Sequence, residues 1–99
     1  MTNPTTPDQA AAEAHAAARA AREATGQPDG GTQRGEHRPT NQAQREAAHA
    51  TRQAWGASGS AWEATHRPTD QGRRQAARQA LQHAQHAKDA AARAMALVG

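Results

Sequence analysis

The stretch from Asn41 to His66, NQAQREAAHATRQAWGASGSAWEATH, decides how the rest of the chain is interpreted. Its alanines fall at positions 43, 47, 50, 54, 57, 61 and 64, so their spacing alternates between four and three residues without a break. This spacing puts all seven on one face of an α-helix, in the heptad pattern of helices that pack side by side. The stretch therefore predicts one helix over 41–66 whose packing face is an alanine seam.

The segment Trp55 to Ser60, WGASGS, offers an alternative interpretation. It has the composition of a turn, and Ser60 with Glu63 three residues later matches a capping box. A helical hairpin that turns at 55–60 is therefore the alternative. The alanine phase runs through the segment unchanged, which a loop has no reason to preserve. We expect a continuous helix that tolerates Gly56 and Gly59 at a cost of roughly 1 kcal/mol each.

Two further helices flank this one. Alanines at 77, 80, 84, 87, 91 and 94 with Val98 form a second seam, flanked by Leu81 and Met95, and predict a helix over 70–98. Pro68 and a cap at Thr69 leave two or three residues between the helices, so we expect antiparallel neighbours. A first helix is predicted over 7–25, after Thr6 and before Gly26, and Thr40 is predicted to cap the second helix.

The composition determines how these helices can pack. Alanine contributes 28 of the 99 residues, Cys, Phe, Tyr and Ile are absent, and residues 26–39 (GQPDGGTQRGEHRP) indicate a flexible connector. The large apolar side chains are few, namely Met1, Trp55, Trp62, Leu81, Met95, Leu97 and Val98. We expect one all-α unit over 1–99, an antiparallel helical hairpin or three-helix bundle packed through alanine seams. Another chain or the first helix would share the burial.

Trp55 and Trp62 are seven residues apart and therefore share a helix face. One interpretation makes them the main core side chains, covering the hairpin or the first helix. The other makes them an exposed patch that binds a protein partner, because tryptophan dominates the energetics of protein interfaces. They are the candidate partner-binding residues.

The basic residues suggest a second candidate function. Residues 67–99 carry six basic side chains against two acidic ones, out of a chain whose net charge is +3. Arg73, Arg74 and Arg78 lie in the first turns of the third helix, where positive charge opposes the helix dipole. With Arg67 and the free backbone N–H groups there, they could hold a phosphate. We therefore keep DNA or RNA binding as the alternative to protein binding.

The sequence predicts no catalytic site, metal site or cofactor. Ser58 and Ser60 lack a nucleophile-elbow context, and His83, His86 and Asp89 share a helix row without a second converging cluster. No apolar run or signal sequence is present, so we expect no membrane association and a cytoplasmic location, or a virion location if a phage encodes the chain. The arginine bias indicates a GC-rich genome, in keeping with a phage or an actinobacterium. The predicted function is that of a non-enzymatic interaction or assembly protein that self-associates or binds a protein partner.

Overall fold

A computed structural model of the chain describes residues 5–26 and 41–98. These residues form three helices, α1 (Pro7–Thr25), α2 (Gln42–His66) and α3 (Asp70–Val98), and no strand. All three predicted helices are confirmed to within one residue. Of the predicted connector, residues 27–39 lie outside the described part of the chain, and Gly26 is the C-cap of α1.

Polar side chains fix the starts of the helices. Thr6 caps α1 by accepting a hydrogen bond from Gln9 N at 3.1 Å, with Pro7 as the first helical residue. Thr69 Oγ1 accepts from Gly72 N at 2.9 Å at the start of α3, as predicted. The predicted cap of α2 was wrong by one position. Asn41 occupies the extended cap conformation, and its Oδ1 accepts from Gln44 N at 2.8 Å, so Asn41 takes the role predicted for Thr40, a residue outside the described part.

The helix α2 runs without interruption through the segment 55–60, so the alternative of a turn there is wrong. The reason is visible in the alanine seam: Ala54, Ala57 and Ala61 are all buried against the neighbouring helices. A break at Gly56 or Gly59 would move half of the seam out of phase. Continued packing along both sides offsets the low helix propensity of the two glycines.

The three helices form an up-down-up bundle in which each helix contacts the other two. Arg22 Nη1 donates to Thr51 Oγ1 at 2.8 Å and His15 bonds Ser58, so residue numbers rise along α1 as they fall along α2. The three-residue link 67–69 makes α2 and α3 antiparallel as well, as predicted. The three-helix bundle is therefore the form of the fold, and α1 is a docked member of it.

The core is built from alanine. Nineteen buried apolar residues in the described part are all alanines, joined by Thr51 and Ser60 as buried polar residues. The seam of α2 is buried from Ala43 to Ala61, and the seam of α3 from Ala80 to Ala94. Only the ends of the seams emerge, with Ala64 and Ala77 half-buried and Val98 exposed. A methyl-lined interface lets helix backbones approach closely and gains its stability from dispersion contacts.

Candidate interaction surface

Trp55 and Trp62 lie on the surface of the bundle. Their exposed fractions are 51% and 61%, so the interpretation of the two tryptophans as core side chains is wrong. The alanine seams explain the outcome, because helices that pack through methyl groups leave no interior space for an indole. Both tryptophans instead occupy the solvent face of α2, where Trp55 contacts His15 of α1.

Two histidines hold the indole rings in place. The His15 ring of α1 meets Trp55 edge-on, with ring centroids 4.7 Å apart and planes at 77°. The His66 ring lies flat on Trp62, with centroids 4.0 Å apart and planes at 5°. His66 Nδ1 also donates to the Trp62 carbonyl oxygen at 2.7 Å. Each tryptophan is thus restrained while about half or more of it stays exposed, which lowers the entropy that binding must remove.

Gly59 leaves open space on the surface of α2 between the two indoles. Trp55, Ser58, Gly59 and Trp62 occupy positions i, i+3, i+4 and i+7, which are the four corners of the hole that receives a knob from a facing helix. A Cβ atom placed on Gly59 would meet nothing within 4 Å, and Ser58 Oγ is drawn toward α1 by its 2.7 Å hydrogen bond to His15. We call the surface formed by these four residues the tryptophan face.

Positive charge lies beside the tryptophan face. Arg19 on α1 and Arg52 on α2 are exposed, and neither makes an ion pair with any residue that the structure describes. Burial lowers the pKa of His15 below its ordinary value of 6.5, with further lowering by the charges of Arg22 and Arg19. The neutral form of the His15 ring therefore predominates at pH 7, and the charge beside the face comes mainly from the guanidinium groups.

The pair formed by His15 and Ser58 has the distance of a catalytic dyad but lacks the other parts. Ser58 lies in the middle of α2, where the backbone N–H groups around it bond within the helix and none is left to form an oxyanion hole. His15 has no carboxylate hydrogen bond among the described residues that would orient its ring as a general base. The arrangement fastens α1 to α2 and positions Trp55.

Of the four arginines proposed for nucleic-acid contact, two make polar contacts within the described part of the chain and two do not. Arg67 pairs with Glu63 at 2.5 Å, and Arg73 donates to the Arg67 carbonyl oxygen at 2.8 Å while pairing with Asp70. These contacts brace the turn between α2 and α3, and Asp70 compensates positive charge in the first turn of α3. Arg74 and Arg78 are exposed and make no hydrogen bond or ion pair within 5–26 and 41–98.

The histidines of α3 point to different neighbours. His83 Nδ1 donates to Gln53 Oε1 at 2.8 Å and its ring packs against Gly56, whereas His86 lies beside His49, Asp89 and Arg93 in a shallow depression. Across the described residues, no group of three or more His, Asp or Glu side chains is arranged to hold a metal ion. None of the three helices as described is long and apolar enough to cross a membrane.

Sequence reasoning missed His15, Ser58 and His66 as parts of this surface. His66 could have been found, because it follows Trp62 by four residues and helical neighbours at that spacing face each other. His15 and Ser58 are 43 positions apart, so their pairing depends on how α1 docks. Residues 27–40, which join α1 to Asn41, carry no pattern that fixes this register.

Comparisons with known proteins identify no relative of this chain. No protein-family model matches the sequence, and neither a curated protein nor a solved structure matches it significantly. The functional conclusion therefore rests on the geometry of the chain itself.

Proposed function

We propose that this chain is a small, non-enzymatic interaction or assembly protein that binds a helix of a protein partner through the tryptophan face. One observation carries the proposal. Every large apolar side chain in the described part of the chain is exposed by 40% or more, while the core consists of alanine. These side chains are Trp55, Trp62, Leu81, Met95, Leu97 and Val98.

The tryptophan face has the properties of a helix-binding surface. Two restrained indoles lie on either side of Gly59, whose missing side chain leaves room for a partner side chain between them. Each buried square ångström of indole contributes about 25 cal/mol, and tryptophans are the residues most often found at the energetic centre of interfaces. Arg19 and Arg52 beside the face favour a partner helix that carries acidic residues.

The non-enzymatic part of the proposal is supported by the context of Ser58. An active serine needs a base, an orienting group and donors for the oxyanion, and only the base is present in the described residues. A fluorophosphonate probe tests this part. We expect no labelling of Ser58, and labelling that is lost in the Ser58→Ala variant would contradict it.

Nucleic-acid binding is the second candidate, supported by the exposed Arg74 and Arg78. If each arginine contacts one phosphate, the logarithm of the binding constant should fall with the logarithm of the salt concentration with a slope of about −1.8. Arg67 and Arg73 already make contacts at the α2–α3 turn, so the arginine surface offers few contacts to phosphate groups. We therefore favour protein binding over nucleic-acid binding.

Photocrosslinking in the cells that make the protein tests the proposed function. A benzophenone amino acid placed at position 62 should capture a protein, identified by mass spectrometry, whereas the same group at the exposed Gln82 of α3 should not. Capture should fall when Trp55 is changed to Ala. A product pattern identical at positions 62 and 82, or no protein product at position 62, would contradict the proposal.

A further inference from the structure

The tryptophan face has a pattern that reads nearly the same in both directions along α2. With Gly59 as the centre, Trp55 lies four residues before and Trp62 three residues after, while Arg52 and His66 lie seven residues to either side. A two-fold axis at Gly59 in an antiparallel pairing would bring Trp55 of one helix within one residue of the level of the partner's Trp62, so the indoles of the two copies would meet on both sides of the axis.

We propose that the partner is a second copy of this chain, with the two α2 helices crossing antiparallel at Gly59. The inference rests on the proposed function and names its partner. Identical residues meet at a two-fold axis, and a glycine there removes the side chains that would hold the helices apart. Gly59 has open space above it in the single chain, so its place on the axis costs no existing contact.

The charges favour the antiparallel direction. Arg52 is exposed and without an ion-pair partner in the described residues, and Glu63, which already pairs with Arg67, keeps 42% of its side chain exposed and has room for a second cation. From Arg52 to Glu63 the helix advances eleven residues, which is three whole turns and about 20° more. Both side chains therefore lie along the same edge of the face. The antiparallel pairing places Arg52 level with the partner's His66 and one turn from the partner's Glu63. A parallel pairing would set Arg52 against the partner's Arg52.

The stacked rings give Arg52 a second contact. The indole of Trp62 and the imidazole of His66 form a flat pair with planes 5° apart. A guanidinium group that reaches the level of the partner's His66 can lie over such rings, which attract a cation through their faces. The two-fold axis repeats these contacts, so the cation, the indoles, the glycine and the carboxylate of each copy all take part in the interface.

Cysteine crosslinking tests the arrangement in the full chain, which contains no cysteine of its own. Gly59→Cys should oxidise readily to a covalent dimer, because the two copies of residue 59 face each other. Leu81→Cys, also at an exposed position but on α3, is the matched control and should stay monomeric. Circular dichroism of each variant checks that the fold is retained.

The direction of pairing is tested by mixing two variants. Arg52→Cys and His66→Cys should crosslink to each other through a short bismaleimide, whereas either variant alone should not, because its two copies lie about 21 Å apart along the axis. Crosslinking of Arg52→Cys with itself, and not with His66→Cys, would overturn the antiparallel dimer. Gly59→Leu should leave helicity intact and weaken dimerisation at least tenfold.

The outcomes separate this inference from the proposed function. A wild-type chain that stays monomeric at all concentrations would overturn the dimer. If position 62 then captured a different protein, the proposed function would stand without it. A chain that neither dimerises nor captures any protein would contradict both.

Discussion

His15 of α1 and Ser58 of α2 are joined by a 2.7 Å hydrogen bond, and the same imidazole packs edge-on against Trp55. One neutral ring thus fastens α1 to α2 and fixes the orientation of an exposed indole. The protonation state of His15 therefore affects both the packing of α1 on α2 and the orientation of Trp55.

The first prediction concerns pH. Because the pKa of His15 in the folded chain is below 6.5, the unfolded chain takes up a proton first as the pH falls. The free energy of unfolding should therefore decrease as the pH drops through 6.5 toward the folded pKa, and level off below it. His15→Gln should remove this component. Urea unfolding at several pH values, followed by circular dichroism, measures it.

The exposed His86 provides the control, since His86→Gln leaves the α1–α2 contact untouched. If His15→Gln and the wild-type chain lose the same free energy between pH 7.5 and pH 5, the imidazole does not couple the two helices.

The second prediction compares two glycines of α2. Gly59→Ala should stabilise the monomeric fold by up to about 1 kcal/mol, because alanine favours the helix and its Cβ meets nothing. Gly56→Ala should gain less or destabilise, since its Cβ would lie 3.1 Å from His83 Nδ1. Urea titrations at low protein concentration compare them. An equal gain from both would show that His83 does not pack against α2.

The third prediction tests the alanine core. Ala87 is fully buried in α3, and Ala92 in the same helix is exposed. Ala87→Leu should destabilise the bundle by about 1–3 kcal/mol because the added carbons have no space, whereas Ala92→Leu should change little. Thermal unfolding of both variants is the measurement. A tolerated leucine at position 87 would mean that the helices are farther apart than the structure shows.

The fourth prediction separates the arginines. Arg73→Ala should lower the free energy of unfolding by about 0.5–1 kcal/mol, because the hydrogen bond to the Arg67 carbonyl oxygen at the half-exposed turn is lost. Arg74→Ala should leave stability unchanged. If nucleic acid is the ligand, Arg74→Ala combined with Arg78→Ala should instead make the salt slope shallower by about 2.

The helices could be predicted from the sequence because alanine phase and capping residues act locally. The spacing in 41–66 favoured a continuous helix over a turn at 55–60, and Thr6, Gly26 and Thr69 marked helix ends. Thr40 and Asn41 are adjacent and both residue types cap helices well, so the alanine spacing could not show that Asn41 is the cap.

The position of the tryptophans could not be predicted in the same way. Periodicity shows that Trp55 and Trp62 share a face, but burial depends on how closely the helices approach. Once the alanine methyls set that distance, the indoles have no place inside. The contact between His15 and Ser58 depends on the docking of α1, which is a tertiary property of residues 43 positions apart.

Sedimentation equilibrium of the wild-type chain beside the Trp55→Ala, Trp62→Ala double variant measures whether the tryptophan face drives self-association. We expect the wild-type chain to associate to a dimer as its concentration rises. The double variant should stay monomeric with unchanged helicity, because the indoles serve association and not the core. A double variant that unfolds as a monomer, or that associates as strongly as the wild-type chain, would contradict the account.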